Sequence, residues 1–434
     1  MVDMKKLAGL VKELEDQLVA CMRCGLCQSV CPVFAETGRE ADVARGKLAL
    51  LDGLAHEMFK DPKGVNERLM RCLLCGSCEA NCPSGVRILE IFLKARAILA
   101  GYMGLSPFKK VIFRGMLSHP RFFDGLMEWG TKLQGFFIKP ADDLLGTSCG
   151  RMFSPLAERH FKPLASVPFH RKVGARNSKT GTSGLKVGIF TGCAIDKIFP
   201  SVGEAMLRSL DHHEIGVFLP ENQGCCGIPA LASGDLETFN RLVRHNIKLF
   251  AENSFDHLVT ACATCTSTIK KIWPMMAEGL SDAEQSAVRE LAARTMDISQ
   301  FLVDVAGVVP AAPAGAGDAD ARAVITYHDP CHLKKSLGVN GQPRRLLQAN
   351  PAYKYREMAE PDRCCGCGGS FNLQHYDIST SIGSRKRDNI TRSGCDVVAT
   401  GCPACMLQIA DLLSQEGVKI QVKHTIEVYA DSLV

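Results

Sequence analysis

Four cysteines spaced Cys21-x2-Cys24-x2-Cys27-x3-Cys31, with Pro32 next, return as Cys72-x2-Cys75-x2-Cys78-x3-Cys82 followed by Pro83. Thiolates at such short intervals converge on three irons of a [4Fe–4S] cube. The fourth cysteine, carried past by the proline, reaches the other cube when two runs pair. The pattern assigns one cube to Cys21, Cys24, Cys27 and Cys82, and a second to Cys72, Cys75, Cys78 and Cys31. Other uses of cysteine fit less well. Disulfide frameworks belong to oxidising compartments, and residues 1–17 carry Lys5, Lys6, Lys12, Glu13, Glu15 and Asp16 with no apolar export segment. Structural zinc takes four ligands, usually as separated pairs.

All other cysteines except Cys149, Cys367 and Cys395 fall into two further groups, repeated with a period of about 140 residues. Cys193, the pair Cys225-Cys226, and Cys262-x2-Cys265 correspond to Cys331, the pair Cys364-Cys365, and Cys402-x2-Cys405. Five thiolates exceed what a tetrahedral zinc takes, and a vicinal pair is awkward for one mononuclear metal. A cluster with a bridging position to spare fits each group better. Zinc, or a redox disulfide at Cys225–Cys226, stays open as the alternative. His328, Asp329 and His332 flank Cys331 and are candidate proton donors to a bound quinone or thiol. Their ordinary role would be a hydrogen bond to cluster sulfur or backbone.

These groups need elements to hold them. Leu7, Leu10, Val11, Leu14 and Leu18 predict an amphipathic helix before the first run. Residues 41–59, and Ile88 to Leu99 after the second, read as further helices. In the repeated halves, a β-branched strand ends at Cys193 or at Cys331. A helix over Ser201–Leu210 and a strand over Ile215–Leu219 lead into the first pair. Strands His257–Thr260 and Val397–Thr400 deliver the Cys-x2-Cys motifs. Such alternation predicts parallel α/β sheets with all ten cysteines at carboxyl ends of strands, where ligands gather. Residues 101–140 mix Phe108, Ile112, Phe113, Met116, Phe122, Phe123, Phe136 and Phe137 with Lys109, Lys110, Arg114 and Arg121. Packing between domains is the expected role, because Pro107, Pro120 and several glycines interrupt the periodicity; a docking or membrane-surface face is the functional alternative.

A net charge of +5 is mild for 434 residues and lacks the basic stripe of a nucleic-acid binder. No apolar run reaches the ~18–20 residues that span a bilayer. Gly315-Ala-Gly317 lacks the third glycine and preceding strand of a dinucleotide fingerprint, so no flavin or NAD is expected in this chain.

Taken with Cys364-Cys-Gly-Cys-Gly-Gly-Ser-Phe371 and Thr400-Gly-Cys-Pro-Ala-Cys405, these motifs make the whole chain resemble the iron–sulfur subunits of glycolate and D-lactate dehydrogenases. Anaerobic glycerol-3-phosphate dehydrogenase C subunits and the cysteine-rich subunits of heterodisulfide reductases are relatives. The resemblance implies two cubane clusters and one or two further non-cubane [4Fe–4S] clusters in the cysteine-rich "CCG" domains. It implies an oxidoreductase subunit of 2-hydroxy-acid dehydrogenase type, with an acceptor other than NAD and an electron-transfer role. An FAD-containing dehydrogenase subunit would supply electrons to it, and a quinone, membrane cytochrome or other carrier would take them. The alternative it implies is a heterodisulfide-reductase-like subunit that reduces a disulfide at a CCG cluster. In glycolate oxidase relatives the Cys-x2-Cys of the first CCG domain is often degraded; here it is intact.

The expected fold is α+β and multidomain. A helical two-cluster ferredoxin domain (1–105) comes first, then a helical connector and linker (106–184, with 171–184 the polar linker). Two α/β CCG domains (185–308 and 323–434) flank a flexible insertion (309–322). The expected location is cytoplasmic or peripheral on the inner face of the cytoplasmic membrane.

Overall fold

The computed structural model describes residues 4–58, 60–151, 159–277, 279–308 and 322–433. Nearly all of the expected insertion at 309–322 lies outside them, as does Phe59 at the end of the second expected helix.

Among the described residues, every element from Met4 to Met103 is helical. Helices Met4–Lys12, Ala44–Ala55 and Ile88–Met103 pack together, because each carries an apolar stripe at helical spacing. Leu7, Val11, Leu14 and Leu18 bury themselves against Leu48, Leu51, Leu54, Ile91, Phe92, Ala95 and Leu99. This scaffold leaves the cysteine runs as tight turns on its surface. Cys31 caps the helix Pro32–Thr37, its Sγ accepting from the Phe34 amide at 3.4 Å. Pro32 occupies the first turn, where a missing N–H costs nothing.

The following stretch departs from the sequence expectation. Helix Pro120–Phe137 is present, but the connector then turns into an antiparallel sheet of β1 (Ile138–Asp142), β2 (Thr147–Gly150) and β3 (His160–Phe161), in the order β1-β2-β3. Segments this short give no readable alternation. The sheet clasps the C-terminal domain: the His160 amide donates to Asp411 at 2.8 Å, and the Thr147 and Ser414 hydroxyls lie 2.6 Å apart. The polar stretch 171–184 is likewise more than a linker. It holds the end of helix Phe169–Val173 and β4 (Arg176–Asn177), which pairs antiparallel with the first CCG sheet. Arg176 grips Asp211 there through two hydrogen bonds of 2.9 and 2.5 Å. Its Gly/Ser/Thr composition hid this pairing.

The two halves are built alike. β5 (Lys186–Ile189), β6 (Gly216–Leu219), β7 (His257–Thr260) and β8 (Thr295–Asp297) form a sheet of order β4-β6-β5-β7-β8. β9 (Ala323–His328), β10 (Tyr353–Tyr355), β11 (Val397–Thr400) and β12 (Gln421–His424) form one of order β10-β9-β11-β12. Apart from β4, every pairing is parallel. Both sheets reverse winding direction between their two central strands, and cysteines follow each strand at that switch point.

Among the described residues, no helix is long and apolar enough to cross a membrane.

Candidate metal centre

The ferredoxin-type turns owe their shape to left-handed backbone at matching places: Arg23 (φ 57°) and Leu74 (φ 53°), each just before the second cysteine of its run. Cys21, Cys24, Cys27 and Cys82 line one cavity, with Cys78, Arg45, Leu48 and Val86 completing the wall. The second quartet lies deeper. Burial raises the Cys78 thiol well above its ordinary value, and repulsion from Cys72, Cys75 and Cys31 adds to this. Cys31 is raised by burial too, with Cys72 opposing its charge. Two buried cations stand beside this quartet. Burial lowers the Lys47 ammonium while Cys72 and Cys31 attract it, and Arg96 donates to the carbonyls of Cys72 (3.0 Å), Leu69 (2.6 Å) and Ala232 (2.8 Å).

In the duplicated half the strand ends bring their thiols together. Hydrogen-bonding contacts join Cys193 to Cys225, Cys225 to Cys226 and Cys226 to Cys265. In the second domain they join Cys331 to Cys364, Cys364 to Cys365 and Cys402 to Cys405, and Cys365 Sγ lies 3.4 Å from Cys405 Sγ. The two groups are not separate. Cys262, itself in contact with Cys265, touches Cys402 of the other domain. Thr264 Oγ1 lies 3.6 Å from the Cys402 sulfur, and the Ala263 amide donates to the Gly401 carbonyl at 3.0 Å. At the far end of the row, Cys75 of the second ferredoxin run lies close enough to Cys364 for their charges to repel, and burial pushes its thiol up to about 12.

Buried thiols so crowded cannot all ionise in water's absence. Cys226, Cys364 and Cys402 are held well below the usual thiol range because neighbouring thiols donate to them. Cys225, Cys331 and Cys405 are correspondingly raised by giving up that hydrogen, and burial raises them further. A multinuclear cation is the counter-charge that lets every one act as a thiolate. Iron–sulfur clusters therefore fit these residues, whereas five thiolates per group overfill a zinc site.

The three polar candidates beside Cys331 go three ways. His328 is buried with neither ring nitrogen hydrogen-bonded, and a ring nitrogen and the sulfurs of Cys365 and Cys405 all lie within 4.8 Å of one another. Burial pushes its ring down to about 3, so it is neutral. Asp329 is committed to a two-pronged pair with Arg344, both bonds 2.8 Å. His332 bridges three units: Nδ1 meets Thr264 Oγ1 at 3.1 Å and Nε2 meets the Leu74 carbonyl at 3.1 Å. Cys367 is half-buried, and its thiol is pushed up to about 12, first by desolvation and then by Cys402 and Cys364. Cys395 bonds the Ile390 carbonyl (3.7 Å) and Cys149 sits on β2, both away from the row.

Sequence reasoning missed the buried cations and two strand-end groups. Lys47 is in helical phase with Leu51 and Leu54, a signal that it points inward. Lys386 lies in a run of charges that reads as solvated. In fact it is fully buried, is pushed down to about 8 by burial, and donates to the Pro361 carbonyl at 3.1 Å while facing Cys365 and Cys364. Asp297 and His424 are structural equivalents, each opposite the last threonine of its Cys-delivering strand (Thr260 and Thr400). The repeat period hid them, since the first half inserts the helix Asp282–Ala293 before β8.

Asp297 yields a pH prediction. It is buried with Oδ2 unpartnered, and burial pushes its carboxyl up to about 7. Its folded-state pKa lies above the unfolded value, so its contribution to stability is present below about pH 4 and is lost as pH rises through about 7. Asp297→Asn keeps the cap to the Ser299 amide (2.8 Å) and removes that titration. Urea midpoints should show the variant gaining on the wild type between pH 5 and pH 8, by roughly 1–4 kcal/mol. A constant difference across that range would refute the assignment.

Another cavity, of about 370 Å³, opens onto Cys193 and Cys225 at the end of the row away from the ferredoxin turns; Thr191, Gln223, Asp196, Lys197 and His170 are among its walls. Its charges are matched: Lys197 meets Asp124 at 2.6 Å, and His170 lies 2.9 Å from Asp196 and 3.2 Å from Glu128.

Comparison with known proteins gives the same partition. A 4Fe-4S dicluster domain matches residues 17–86, and a cysteine-rich CCG domain matches twice, at 187–270 and 325–410. The chain is 28% identical over 429 residues to a fumarate reductase (CoM/CoB) subunit of Methanothermobacter marburgensis, covering 98% of this chain and 72% of the relative. It is 26% identical over 440 residues to a probable glycolate oxidase iron-sulfur subunit of Bacillus subtilis, with 97% and 95% covered. It is 31% identical over 244 residues to lactate utilization protein A of Oceanobacillus iheyensis, covering 56% of this chain and 96% of the relative. The dicluster match supports two cubane clusters in the N-terminal unit. With paired cluster-binding turns leading into two cysteine-lined α/β domains, the chain belongs to the family of CCG-domain iron–sulfur electron-transfer subunits, whose members include a glycolate oxidase iron-sulfur subunit, lactate utilization protein A and a heterodisulfide reductase subunit.

Proposed function

We propose that this chain is the electron-transfer subunit of a flavin-dependent 2-hydroxy-acid dehydrogenase, working on D-lactate or glycolate, and that it serves a quinone, cytochrome or other carrier. One observation carries the reading: ten thiols, all buried but the part-buried Cys193 and Cys331, run without a break from Cys331 and Cys364, beside the second ferredoxin turn, to Cys193 and Cys225 beneath an open polar cavity. Cys21, Cys24, Cys27 and Cys82 would hold one cube, and Cys72, Cys75, Cys78 and Cys31 the other. Cys193, Cys225, Cys226, Cys262 and Cys265 would hold a first further cluster. Cys331, Cys364, Cys365, Cys402 and Cys405 would hold a second. Bound clusters supply one-electron transfer. The protein's own part is to exclude water and to place cations: Lys47 and Arg96 at the second ferredoxin quartet, Lys335 and Lys386 at the second CCG group. Buried positive charge beside a cluster favours its reduced state.

The completeness of both Cys-x2-Cys motifs, and their contact at Cys262–Cys402, favours a second reading in which a disulfide is reduced at the CCG sites. One experiment separates the two. The native protein is purified anaerobically, assayed for flavin, and titrated with D-lactate or glycolate under electron paramagnetic resonance. Copurifying flavoprotein and cluster reduction by one acid support the dehydrogenase reading. Absence of flavin, together with no reduction by either acid, sinks it and transfers support to disulfide reduction.

A further inference from the structure

We propose that the helix Pro120–Phe137 is an interfacial helix that docks this protein on the surface of an anionic lipid bilayer. None of its eighteen residues is buried, although it is amphipathic and carries seven-residue spacing of large aromatics. Phe122, Trp129 and Phe136 are 59%, 61% and 74% exposed. Residues seven apart fall on nearly one side of a helix, so the three make a single outward stripe along about 21 Å of helix. Phe137 beside them, and Phe108 and Val111 on the preceding segment, are also mostly exposed. A soluble surface that leaves six large apolar side chains out marks an interaction site.

Charge decides what covers it. Between residues 106 and 141 the only acids are Asp124 and Glu128, and both face inward. Asp124 meets Lys197 at 2.6 Å, and Glu128 meets Arg171 at 2.8 Å and His170 at 3.2 Å. Glu221 and Glu252, from neighbouring segments, share a cavity with Arg121 and Phe122. Apart from Arg114, which pairs with Asp235 and Glu237, the exposed charges of this stretch are Lys110, Arg121, Lys132 and Lys139. Three of these four are lysines, a residue depleted from protein–protein interfaces but suited to lipid phosphates, where its stem lies along the apolar layer and its ammonium reaches the headgroups. Aromatics in the acyl boundary with lysines above them are the chemistry of a bilayer surface. The helix's other face, through Phe123, Asp124 and Gly125, lines the cavity over Cys193 and Cys225. Docking brings that end of the thiol row to the membrane. The inference does not depend on which molecule donates or accepts electrons.

The chain has two tryptophans, and Trp273 is fully buried, so Trp129 reports on this face alone. The experiment mixes the anaerobically purified, cluster-loaded protein with vesicles of phosphatidylcholine, with and without phosphatidylglycerol. Cosedimentation and Trp129 emission are then followed. Binding to the anionic vesicles is expected, with a blue shift absent from Trp129→Phe, and with weakening as salt rises. Lys132→Glu and Lys139→Glu should each lower partitioning at least about five-fold. Phe122→Ser/Trp129→Ser/Phe136→Ser should lower it by on the order of a hundred-fold. Since none of these residues is buried, the triple variant should keep its visible cluster absorbance and helical circular dichroism. Absence of binding to anionic vesicles, equal binding by the triple variant, or equal binding to neutral vesicles overturns the proposal. So does a light-scattering mass that shows the stripe joining two copies of the chain while the vesicles stay unbound.

Discussion

Changing Cys262 and Cys402 to serine together is expected to strip iron from both CCG groups while sparing the two cubes. These thiols touch across the domain boundary, and each belongs to a different proposed ligand set, so one double substitution removes a ligand from both. Serine keeps the size and the hydrogen bonds to Thr264 and to the following helix but is a poor iron ligand beside a thiolate. Iron should fall to about eight atoms per chain, the content of two cubes. Electron transfer from the reduced ferredoxin unit to any acceptor beyond it should fall by on the order of a hundred-fold or more. Iron analysis and resonance spectra of the reduced protein check both outcomes. If iron content stays at the wild-type level, the two CCG ligand sets are wrong.

The second large effect concerns the glycines that follow each cysteine pair. Gly227 and Gly366 sit at φ of +92° and +90°, a region where a side chain costs about 1–2 kcal/mol before any contact is counted. Their surroundings differ. A Cβ on Gly366 would lie 2.3 Å from the Ser379 carbonyl oxygen, in the backbone of helix Tyr376–Arg392, which cannot step aside; a Cβ on Gly227 would meet the Phe239 ring at 2.7 Å. Gly366→Ala should therefore cost about 3–5 kcal/mol and Gly227→Ala somewhat less. Because the neighbouring pairs turn with these residues, both variants should also lose iron. Denaturant midpoints and iron content test the order. A Gly366→Ala protein as stable as the wild type would show that the turn is not held this tightly.

Much of this was legible in the chain. The ferredoxin-type runs are local, since their ligands are separated by two or three residues and the spacing itself fixes the turn. The strands His257–Thr260 and Val397–Thr400 lie where the sequence puts them because three or four β-branched or apolar residues before a Cys-x2-Cys leave little choice. The parallel sheets followed from the repeat of strand, helix and cysteine. The connector was less legible: β1 to β3 and β4 are two to five residues long, too short to show alternation, and β4 finds its partner in the distant β6. The aromatic residues of 101–140 were expected in a domain interface. Phe113 is buried and Phe123 packs half-buried against the core, as that role requires, whereas Phe108, Phe122, Phe136 and Phe137 face outward; helix Pro120–Phe137 adds polar inward contacts through Asp124, Glu128 and Gln134.

Residue type and spacing along the chain were enough to single out the cysteines proposed as ligands, because both are covalent facts. The sequence by itself also determined the doubled architecture, because a repeated pattern of burial repeats a fold. The tertiary structure alone decided that the two CCG groups meet at Cys262 and Cys402, that Cys75 abuts Cys364, and that Lys47, Arg96 and Lys386 are buried around them. It also separated three neighbours, His328, Asp329 and His332, into a residue beside two thiols, an ion pair with Arg344, and a bridge between domains. Each of these depends on groups 15 or more residues apart or on the exclusion of water, and neither distance through space nor burial is written in local spacing.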